Sequence, residues 1–454
     1  MNRRLALWAL CACLALSGCS IPSQPPAQPP VLFVHGNGDS AALWTTTVWR
    51  FESNGWPRDR LVAIDLPNPL ARDEDNVPQA WRSSSTEQAQ FLAAEADKLL
   101  ARTGEQQVVL VGNSRGGNAI RNYGQNHGGA SKVSMAVLGG TPSHGVWALQ
   151  DFRPNSEFNG VGVFLVGLNE PKGPNGDEAT PGVRWMTLRS GNNDKFAQPD
   201  GVWIGAKGKP TNVSFDGPAL KGAKNLVLPN RDHREVSFHP EAFAQTYEFI
   251  AARAPSTLTI AAESRPVLDG KVSGIGPGGP DNLPLVGALL EVYAVDAGTG
   301  ARQGTARHRK QIGADGRWGP FAADSATAYE FVISAPGYAT THVYRSPFAR
   351  SSSIVNLRAE RLAEADKGAT AVVTLTRPRG YFGVPRDRVT LDGATPAPGI
   401  PPGVAGVSIS KHKVVGGAGR PVAAEFASGP IQERIVGVAW PAAENRVVLL
   451  ELTN

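Results

Sequence analysis

Residues 108–120 read VVLVGNSRGGNAI and place Ser114 at the centre of a Gly-x-Ser-x-Gly pattern. Glycine supplies 51 of the 454 residues, so the pattern alone is weak evidence for a chemical role. Its surroundings make it specific, because the apolar run 108–111 predicts a buried strand and 116–127 predicts a helix. A strand, a tight turn and a helix hold a nucleophilic serine in a strained and accessible position. Ser114 is therefore the candidate nucleophile.

The segment 31–254 alternates apolar runs with amphipathic helices. One helix is marked at both ends, since Ser84 and Glu87 form a candidate capping box and Gly104 ends it. Unbroken apolar strands between helices predict a parallel sheet covered on both faces. The predicted strands are 31–34, 61–64, 108–111, 133–138, 183–188 and 226–228, and the predicted helices are 84–103, 116–127 and 240–253.

After residue 254 the helical periodicity disappears, and Gly, Pro, Thr and Val dominate. The stretches ALLEVYAVDAGTGA and AYEFVISAPGYATTH alternate apolar and polar residues and contain glycine turns. This pattern predicts one or two all-β sandwich domains, which we assign to 255–360 and 361–454. The predicted fold class is therefore α/β, with a parallel-sheet domain followed by the β-sandwich domains.

A nucleophilic serine needs a base, and the chain has eight histidines. His233 lies between the last predicted strand and the last predicted helix, where a loop would carry its ring over Ser114. His239 stands at the predicted start of that helix and is expected to be a cap or a surface residue. His233 is the candidate base, and His239 is the alternative.

The base needs a carboxylate that fixes its tautomer and stabilises the imidazolium. The stretch VRWMTLRSGNNDKF (183–196) predicts a strand followed by a polar turn that contains Asp194. Asp232 adjoins His233 in the chain and would reach its ring only in poor geometry. Asp194 is therefore the candidate acid. The alternatives, each also interpretable as a solvated loop charge, are Asp151, Asp177, Glu178 and Asp200.

Acyl transfer also needs donors for the developing oxyanion. The stretch FVHGNGDSAALW follows the first predicted strand directly, and its glycines allow the backbone amides to turn inward. The amide of Asn37 and the amide of Arg115, which follows the nucleophile, are the candidate donors. A phosphate-binding role is disfavoured because neither glycine cluster carries the lysine of a Walker loop.

Four stretches, VLFVHGNGDSAALW, VVLVGNSRGGNAI, LRSGNNDKF and RDHREVSFHPEAF, together resemble the α/β-hydrolase superfamily, especially the small class 2 lipases of bacteria and archaea. The likeness covers residues 31–254 and rests on the order and spacing of the motifs. It implies a serine hydrolase that uses no metal or organic cofactor. The matching positions are Ser114, Asp194 and His233 for the catalytic triad and Asn37 and Arg115 for the oxyanion hole.

Three further features concern the substrate. Arg115 departs from the methionine, glutamine or leucine that is commoner at its position, and its charge would lie beside the predicted acyl pocket. The insertion between Ser143 and Pro181 carries Trp147 and other apolar residues, and it is either a cap over the pocket or a surface excursion with its own core. The first β segment resembles carboxypeptidase-regulatory and transthyretin-like sandwiches, which leaves a substrate-docking role and a spacer role open.

All three cysteines lie within the first twenty residues, MNRRLALWALCACLALSGCS. Two arginines precede an apolar run that is typical of a signal peptide and short for a membrane span. Leu16–Cys19 resembles a bacterial lipobox, which implies that 1–19 is a lipoprotein signal and that Cys19 becomes the lipidated N-terminus. An ordinary cleaved signal is the alternative. Ser20 favours sorting to the outer membrane, and the proline-rich 20–30 predicts an extended tether.

The formal net charge is +5, and no Lys/Arg run is interleaved with aromatic residues, which argues against binding of nucleic acid.

Taken together, the motifs and the resemblance predict a membrane-anchored serine carboxylic-ester hydrolase, a lipase or esterase, that acts on lipid or other acyl esters through an acyl-enzyme. The same triad would serve a polyester depolymerase, a thioesterase or an amidase. A non-catalytic surface-binding protein built on a hydrolase shell is a further alternative.

Overall fold

The computed structural model describes residues 28–454. The predicted signal 1–19, its lipidation site Cys19 and most of the predicted tether lie outside the described residues. Within the described range, the helices are too short or too polar to cross a membrane.

The first domain is built on a six-stranded sheet in which every neighbouring pair of strands is parallel. The strands are β1 Val31–Val34, β2 Leu61–Ile64, β3 Val108–Asn113, β4 Val133–Gly139, β5 Arg184–Ser190 and β6 Lys224–Leu228. Their order in the sheet is β2-β1-β3-β4-β5-β6, so β2 is added on one side of β1 and the later strands are added on the other side. Open parallel sheets bind ligands at the carboxyl ends of the strands where the strand order reverses, here between β1 and β3.

Helices cover both faces of this sheet. Successive residues of a strand point to opposite faces, so each apolar strand supplies side chains for both layers of helices. Phe33 of β1 packs with Phe51 and Tyr247 on one face, whereas its neighbour Leu32 packs with Leu92 on the other. The helices are α1 Thr45–Ser53, α2 Ser85–Thr103, α3 Arg115–Asn126, α4 Val163–Leu168, α5 Glu235–Phe238 and α6 Pro240–Ala251.

Local signals in the sequence define the ends of α2. Ser84 accepts from the amide of Glu87 while the Glu87 carboxylate accepts from the amide of Ser84, so the predicted capping box is present. Gly104 follows the helix with a φ of 71°, a left-handed conformation that glycine adopts without strain.

After α6 the regular structure consists mainly of strands, with short 3-10 helices at Glu364–Asp366 and Ala442–Glu444. Its largest sheet has seven strands in the order β12-β11-β14-β15-β22-β17-β19, and a separate sheet has the order β18-β20-β21. The strands are β7 Val267–Leu268, β8 Val272–Ser273, β9 Ile275–Gly276, β10 Gly279–Pro280, β11 Leu289–Val295, β12 His308–Gln311, β13 Phe321–Ala322, β14 Ala328–Ser334, β15 Thr340–Arg345, β16 Leu357–Arg358, β17 Ala371–Thr376, β18 Arg388–Leu391, β19 Ile409–Val414, β20 Pro421–Ser428, β21 Ile431–Val438 and β22 Arg446–Glu451.

The seven-stranded sheet joins residues from both predicted β segments. Thr340 at the start of β15 pairs in parallel with Arg446 at the start of β22, so the last strand of the chain lies between β15 and β17. Two apolar cores nevertheless flank the sheet, one around Trp318 and the other around Phe426. The predicted fold class, a parallel α/β sheet followed by β sandwiches, is confirmed.

Candidate active site

Ser114 lies at the sharp turn between β3 and α3. Its φ of 54° and ψ of −124° are strained for a residue with a side chain, and its amide donates to the carbonyl of Gly139. A Cβ atom on Gly116 would lie 2.5 Å from the carbonyl oxygen of His35, and one on Gly117 would lie 1.9 Å from Thr141 Oγ1. Gly116 therefore lets α3 start against the end of β1, and Gly117 lets it pack against the chain that follows β4, which is the close packing that a nucleophile elbow requires.

His233 and Asp194 meet at the same end of the sheet. Nδ1 of His233 lies 2.7 Å from Oδ2 of Asp194, and the two residues are only 3% and 7% exposed. Because a carboxylate accepts hydrogen bonds, Nδ1 carries the proton and Nε2 presents a lone pair. Among the described residues Nε2 is buried without a hydrogen-bond partner. The ring therefore has the tautomer and the free nitrogen that a general base needs.

Asn113, the residue before the candidate nucleophile, ties the elbow to the histidine loop. Its side-chain amide donates to the carbonyl of Gly139 at 3.2 Å, to the carbonyl of His233 at 3.1 Å and to Ser237 Oγ at 2.8 Å. Asn113 is fully buried. The placement of His233 relative to Ser114 therefore depends on one buried side chain as well as on the main chain.

The loop that follows β1 touches the elbow. A Cβ atom on Gly36 would lie 3.0 Å from Ser114 Cβ. Within residues 28–454, neither the amide of Asn37 nor that of Arg115 donates a hydrogen bond to another group of the protein. The neighbouring Gly38 amide is bound to the carbonyl of Pro69. The loop and the elbow that meet at Ser114 thus each carry an amide without an acceptor in the protein, and an oxyanion-binding site needs such free donors.

His35 supports this loop from within. Its Nδ1 bonds the carbonyl of Gly36 at 2.8 Å, and its Nε2 accepts from the amide of Leu66 at 3.1 Å. This pattern requires a neutral ring with the proton on Nδ1. Burial lowers the pKa of His35, which keeps the ring neutral. The histidine of the HGNG motif therefore supports the conformation of the loop.

The side chain of Arg115 is buried and is held by an ion pair and by hydrogen bonds. It is 1% exposed, forms an ion pair with Glu157 and donates to Pro69 and Ser83. Burial raises the pKa of Glu157 to about 7, although the charge of Arg115 works in the opposite direction. Arg115 thus ties the elbow to the insertion after β4, and it does not line the cavity beside His233.

Two titratable residues that lie close to His233 in the chain, His239 and Asp232, form their hydrogen bonds with groups other than the His233 ring. His239 caps α6 by accepting from the amide of Glu241, as expected. Asp232 accepts from Arg377 and from the amide of Tyr381, so it is directed away from the neighbouring imidazole.

The four loop carboxylates that are alternatives to Asp194 lie against groups other than His233. Glu178 pairs with His144 at 3.1 Å, and Asp151 pairs with Lys209 at 3.3 Å. The carboxylate of Asp200 accepts from the amide of Val202 at 3.1 Å, and the carboxyl group of Asp177 lies against Gly222, where a Cβ atom would be 2.9 Å from its Cγ. Asp194 is thus the carboxylate that meets the candidate base.

A cavity of about 500 Å³ opens beside the His233–Asp194 pair. Both residues form part of its wall, together with apolar side chains that include Leu188, Phe196 and Phe215, whereas Ser114 lies outside the lining. The insertion after β4 has two roles here. His144 and Ala148 line the cavity. Trp147 packs with Phe152 and Phe158, at centroid distances of 5.5 and 6.3 Å, in a small core of its own.

Sequence reasoning missed the partners that hold these groups. Asn113 was visible inside the motif, and a buried amide beside a nucleophile was the available signal. Glu157, Arg377 and Arg386 stand in unremarkable loop sequences, far along the chain from the residues they contact. No local pattern marks such residues.

Two family models match the chain. One, described as alpha/beta hydrolase fold, matches residues 29–161, and one described as lipase C-terminal domain matches residues 266–362. The first match includes the HGNG loop and Ser114 and ends within the insertion after β4. The second covers most of the first predicted β segment.

Solved structures of low sequence identity are also similar. The mature form of the lipase BlEst2 from Bacillus licheniformis is 20% identical over 50% of this chain and 94% of its own, with a TM-score of 0.36. The propeptide form of that lipase is 15% identical over 91% and 94%, with a TM-score of 0.37. The phospholipase PlaB from Legionella pneumophila is 13% identical over 74% and 94%, with a TM-score of 0.33. The sheet order agrees with the first family match, so this part of the chain has the α/β-hydrolase fold, and residues 266–362 are similar to the C-terminal domain of lipases.

Proposed function

We propose that this protein is a serine carboxylic-ester hydrolase, a lipase or esterase, with Ser114 as nucleophile, His233 as base and Asp194 as the orienting acid. The observation that carries the proposal is the 2.7 Å contact between His233 Nδ1 and Asp194 Oδ2. This contact leaves Nε2 of His233 buried and without a partner among the described residues. Asn113, which precedes Ser114, donates to the carbonyl of His233 and so ties the histidine loop to the serine.

In the acylation step, Ser114 Oγ attacks the ester carbonyl carbon while His233 Nε2 takes the hydroxyl proton. The carbonyl oxygen becomes an oxyanion held by the amides of Asn37 and Arg115. When the tetrahedral intermediate collapses, the bond to the alcohol oxygen breaks, and His233 returns the proton to that oxygen. Asp194 stays ionised and stabilises the transient imidazolium.

In the deacylation step, water attacks the acyl carbon and gives its proton to His233, which protonates Ser114 Oγ as it departs. The carboxylic acid leaves, and the free enzyme is restored. These residues carry out every proton transfer of both steps. With the carbonyl at Ser114, one side of the substrate would pass His233 and enter the neighbouring cavity, whose wall combines apolar side chains with His144.

The test uses a fluorophosphonate probe and a graded panel of substrates. We expect the probe to label wild-type protein and not Ser114→Ala, which stays folded by circular dichroism and hydrolyses no ester. Asp151→Asn, in an exposed loop, is the matched control and keeps full labelling. Hydrolysis by folded Ser114→Ala would refute the nucleophile. Absence of labelling in wild-type protein would favour a binding protein on a hydrolase shell.

The same panel separates the candidate substrate classes. Esters of increasing acyl length, a thioester, an amide and a polyester film share the triad and differ in the leaving group and in the space they need. We expect the highest kcat/KM with acyl esters. A thioester, amide or polyester preferred by more than about tenfold would reassign the substrate class.

We further propose that the mature protein is a lipoprotein anchored in the outer membrane through Cys19. The support is the lipobox-like Leu16–Cys19 and the serine that follows it. Mass spectrometry of the mature N-terminus is expected to find an acylated cysteine, and Cys19→Ala is expected to release the protein from the membrane fraction. An unmodified N-terminus elsewhere would indicate an ordinary secreted protein.

A further inference from the structure

The loops that carry the candidate acid and base both contact one part of the C-terminal β region. We define the base loop as residues 229–235 and the acid loop as residues 190–197. The contacting part, residues 377–406, follows β17 and is named the brace. The acid and base loops also touch each other through an isolated bridge between Asn193 and Asp232.

Arg377 joins the brace to the base loop. Its guanidinium donates to Asp232 Oδ2 at 3.1 Å and to Glu235 Oε1 at 2.7 Å, and all three residues are fully buried. Asp232 and Glu235 lie one and two residues from His233 on its two sides. The arginine therefore holds the short segment that carries the base by both of its flanking carboxylates.

Two more brace residues complete this contact. The amide of Tyr381 donates to Asp232 Oδ2 at 2.8 Å. Arg386 donates to Glu235 Oε2 at 2.8 Å and to the carbonyl of Asn230 at 3.1 Å. Although burial works in the opposite direction, Arg377 and Arg386 lower the pKa of Glu235 to about 2, so this carboxylate stays ionised.

The brace also holds the acid loop on each side of Asp194. The amide of Ala405 donates to Asn193 Oδ1 at 2.8 Å, and Lys195 donates to the carbonyl of Gly406 at 2.9 Å. Trp203 lies so close to Gly406 that a Cβ atom there would be 1.8 Å from the indole ring. At Gly406 the backbone of the brace therefore packs against Trp203, which follows the acid loop, without room for a side chain.

The residues that flank Asp194 and those that flank His233 are thus bound to one and the same segment outside the α/β domain. Buried charged hydrogen bonds have well-defined geometry, because breaking one leaves an unpaired charge in a low-dielectric interior. A displacement of about 1 Å in a catalytic group is enough to slow a reaction by about 100-fold. The brace is placed to prevent such a displacement between the acid and the base.

We propose that Arg377 is a positioning residue that holds His233 in register with Asp194, and that the C-terminal β region takes part in turnover through this contact. The inference rests on the proposed function for the roles of the acid and the base. It assigns to the C-terminal region a role in turnover, in addition to any role in docking or spacing.

The test compares Arg377→Gln with Arg379→Gln. Arg379 is a matched control, because it is equally buried in the brace and, among the described residues, donates to the backbone carbonyls of Thr453, Ala42 and Leu452 and to neither the acid loop nor the base loop. At a temperature where both variants are folded, we expect Arg377→Gln to lower kcat and the fluorophosphonate labelling rate by about 100-fold, with KM within about threefold of wild type. Arg379→Gln should keep kcat within about threefold.

Two outcomes would overturn the inference: a folded Arg377→Gln with the kcat of wild type, or an Arg379→Gln variant that loses as much kcat. If Arg377→Gln does not fold, the more accessible Arg386→Gln decides, with an expected decrease in kcat of about tenfold. Unchanged kcat in Arg386→Gln would then contradict the positioning role.

A spectroscopic readout separates this inference from the proposed function. The low-field proton on His233 Nδ1, assigned by its loss in His233→Gln, is expected to persist in Arg379→Gln and to broaden or vanish in Arg377→Gln. If wild-type protein takes up no probe, the proposed function fails and this resonance still tests the positioning. A resonance unchanged in Arg377→Gln would show that the brace does not hold the pair.

Discussion

The side-chain amide of Asn113 donates to the backbone carbonyl of His233 across 3.1 Å. The residue before the candidate nucleophile thereby holds the residue that would deprotonate it, although 120 positions separate them in the chain. A contact of this kind makes the geometry of the nucleophile and that of the base depend on each other.

Replacing Asn113 should therefore affect both stability and turnover. Asn113→Ala removes three buried hydrogen bonds, including the one to the carbonyl of His233, so we expect a loss of about 1–3 kcal/mol in the free energy of unfolding. We also expect kcat to fall more than tenfold because His233 loses an anchor. Urea unfolding and ester hydrolysis measure the two effects. Asn118→Ala, which loses a single bond to Pro142, is the control, and equal kcat in both variants would contradict the coupling.

Replacing the acid should change the tautomer of the base. In Asp194→Asn the amide can donate to His233 Nδ1, which moves the ring proton to Nε2 and blocks proton uptake from Ser114. We expect kcat to fall by about 10⁴-fold with little change in fold. Asp200→Asn, an alternative acid from the sequence, should change kcat less than about twofold. A large loss in Asp200→Asn and none in Asp194→Asn would reassign the acid.

The buried pair of Arg115 and Glu157 should matter for stability. Arg115→Met leaves the Glu157 carboxylate buried and unpaired, and at pH 8 we expect a loss of about 3–5 kcal/mol in unfolding free energy. The double variant Arg115→Met/Glu157→Leu should recover much of that loss, because apolar residues can replace a buried ion pair. Denaturant unfolding of both singles and the double measures the coupling. A double variant no more stable than Arg115→Met would argue against it.

Acid should destabilise the protein partly through His239. Burial, aided by the charge of Arg231, lowers the pKa of His239 to about 4. Because the unfolded chain binds a proton near pH 6.5 and the folded state does not, His239 contributes stability above pH 6.5 that is lost as the pH falls toward 4. The shift corresponds to about 3 kcal/mol at most.

The measurement is unfolding free energy from pH 7 to 4 for wild type and for His239→Asn, which keeps a cap acceptor for α6. We expect the wild type to lose more stability than the variant across this window. Parallel pH profiles would show that His239 does not titrate in this way.

Several features of the α/β domain were predictable because they are written in short stretches of sequence. Each strand of its sheet lies within two residues of its predicted bounds, and the capping box of α2 forms as expected. Hydrophobic period, capping residues and glycine at close approaches act over a few positions. The elbow around Ser114 belongs to this class, since Gly116 and Gly117 are needed where they stand.

The arrangement of the β region was less predictable. Pairing of β15 with β22 joins segments about one hundred residues apart, and strand pairing leaves no marker in either sequence. The predicted boundary at residue 360 therefore separates strands that share one sheet.

The sequence by itself determined the parallel sheet and the strand, turn and helix around Ser114, because local patterning constrains these strongly, and it reduced the candidate acid and base to a few residues. Only the tertiary structure decided which groups meet. Asp194 contacts Nδ1 of His233, and Arg115 pairs with Glu157. Arg377 pairs with Asp232 and Glu235, the carboxylates on either side of the candidate base. A buried charge without a partner is costly, so buried charged groups pair with the groups that the fold brings next to them. The two partners can lie at any distance along the chain.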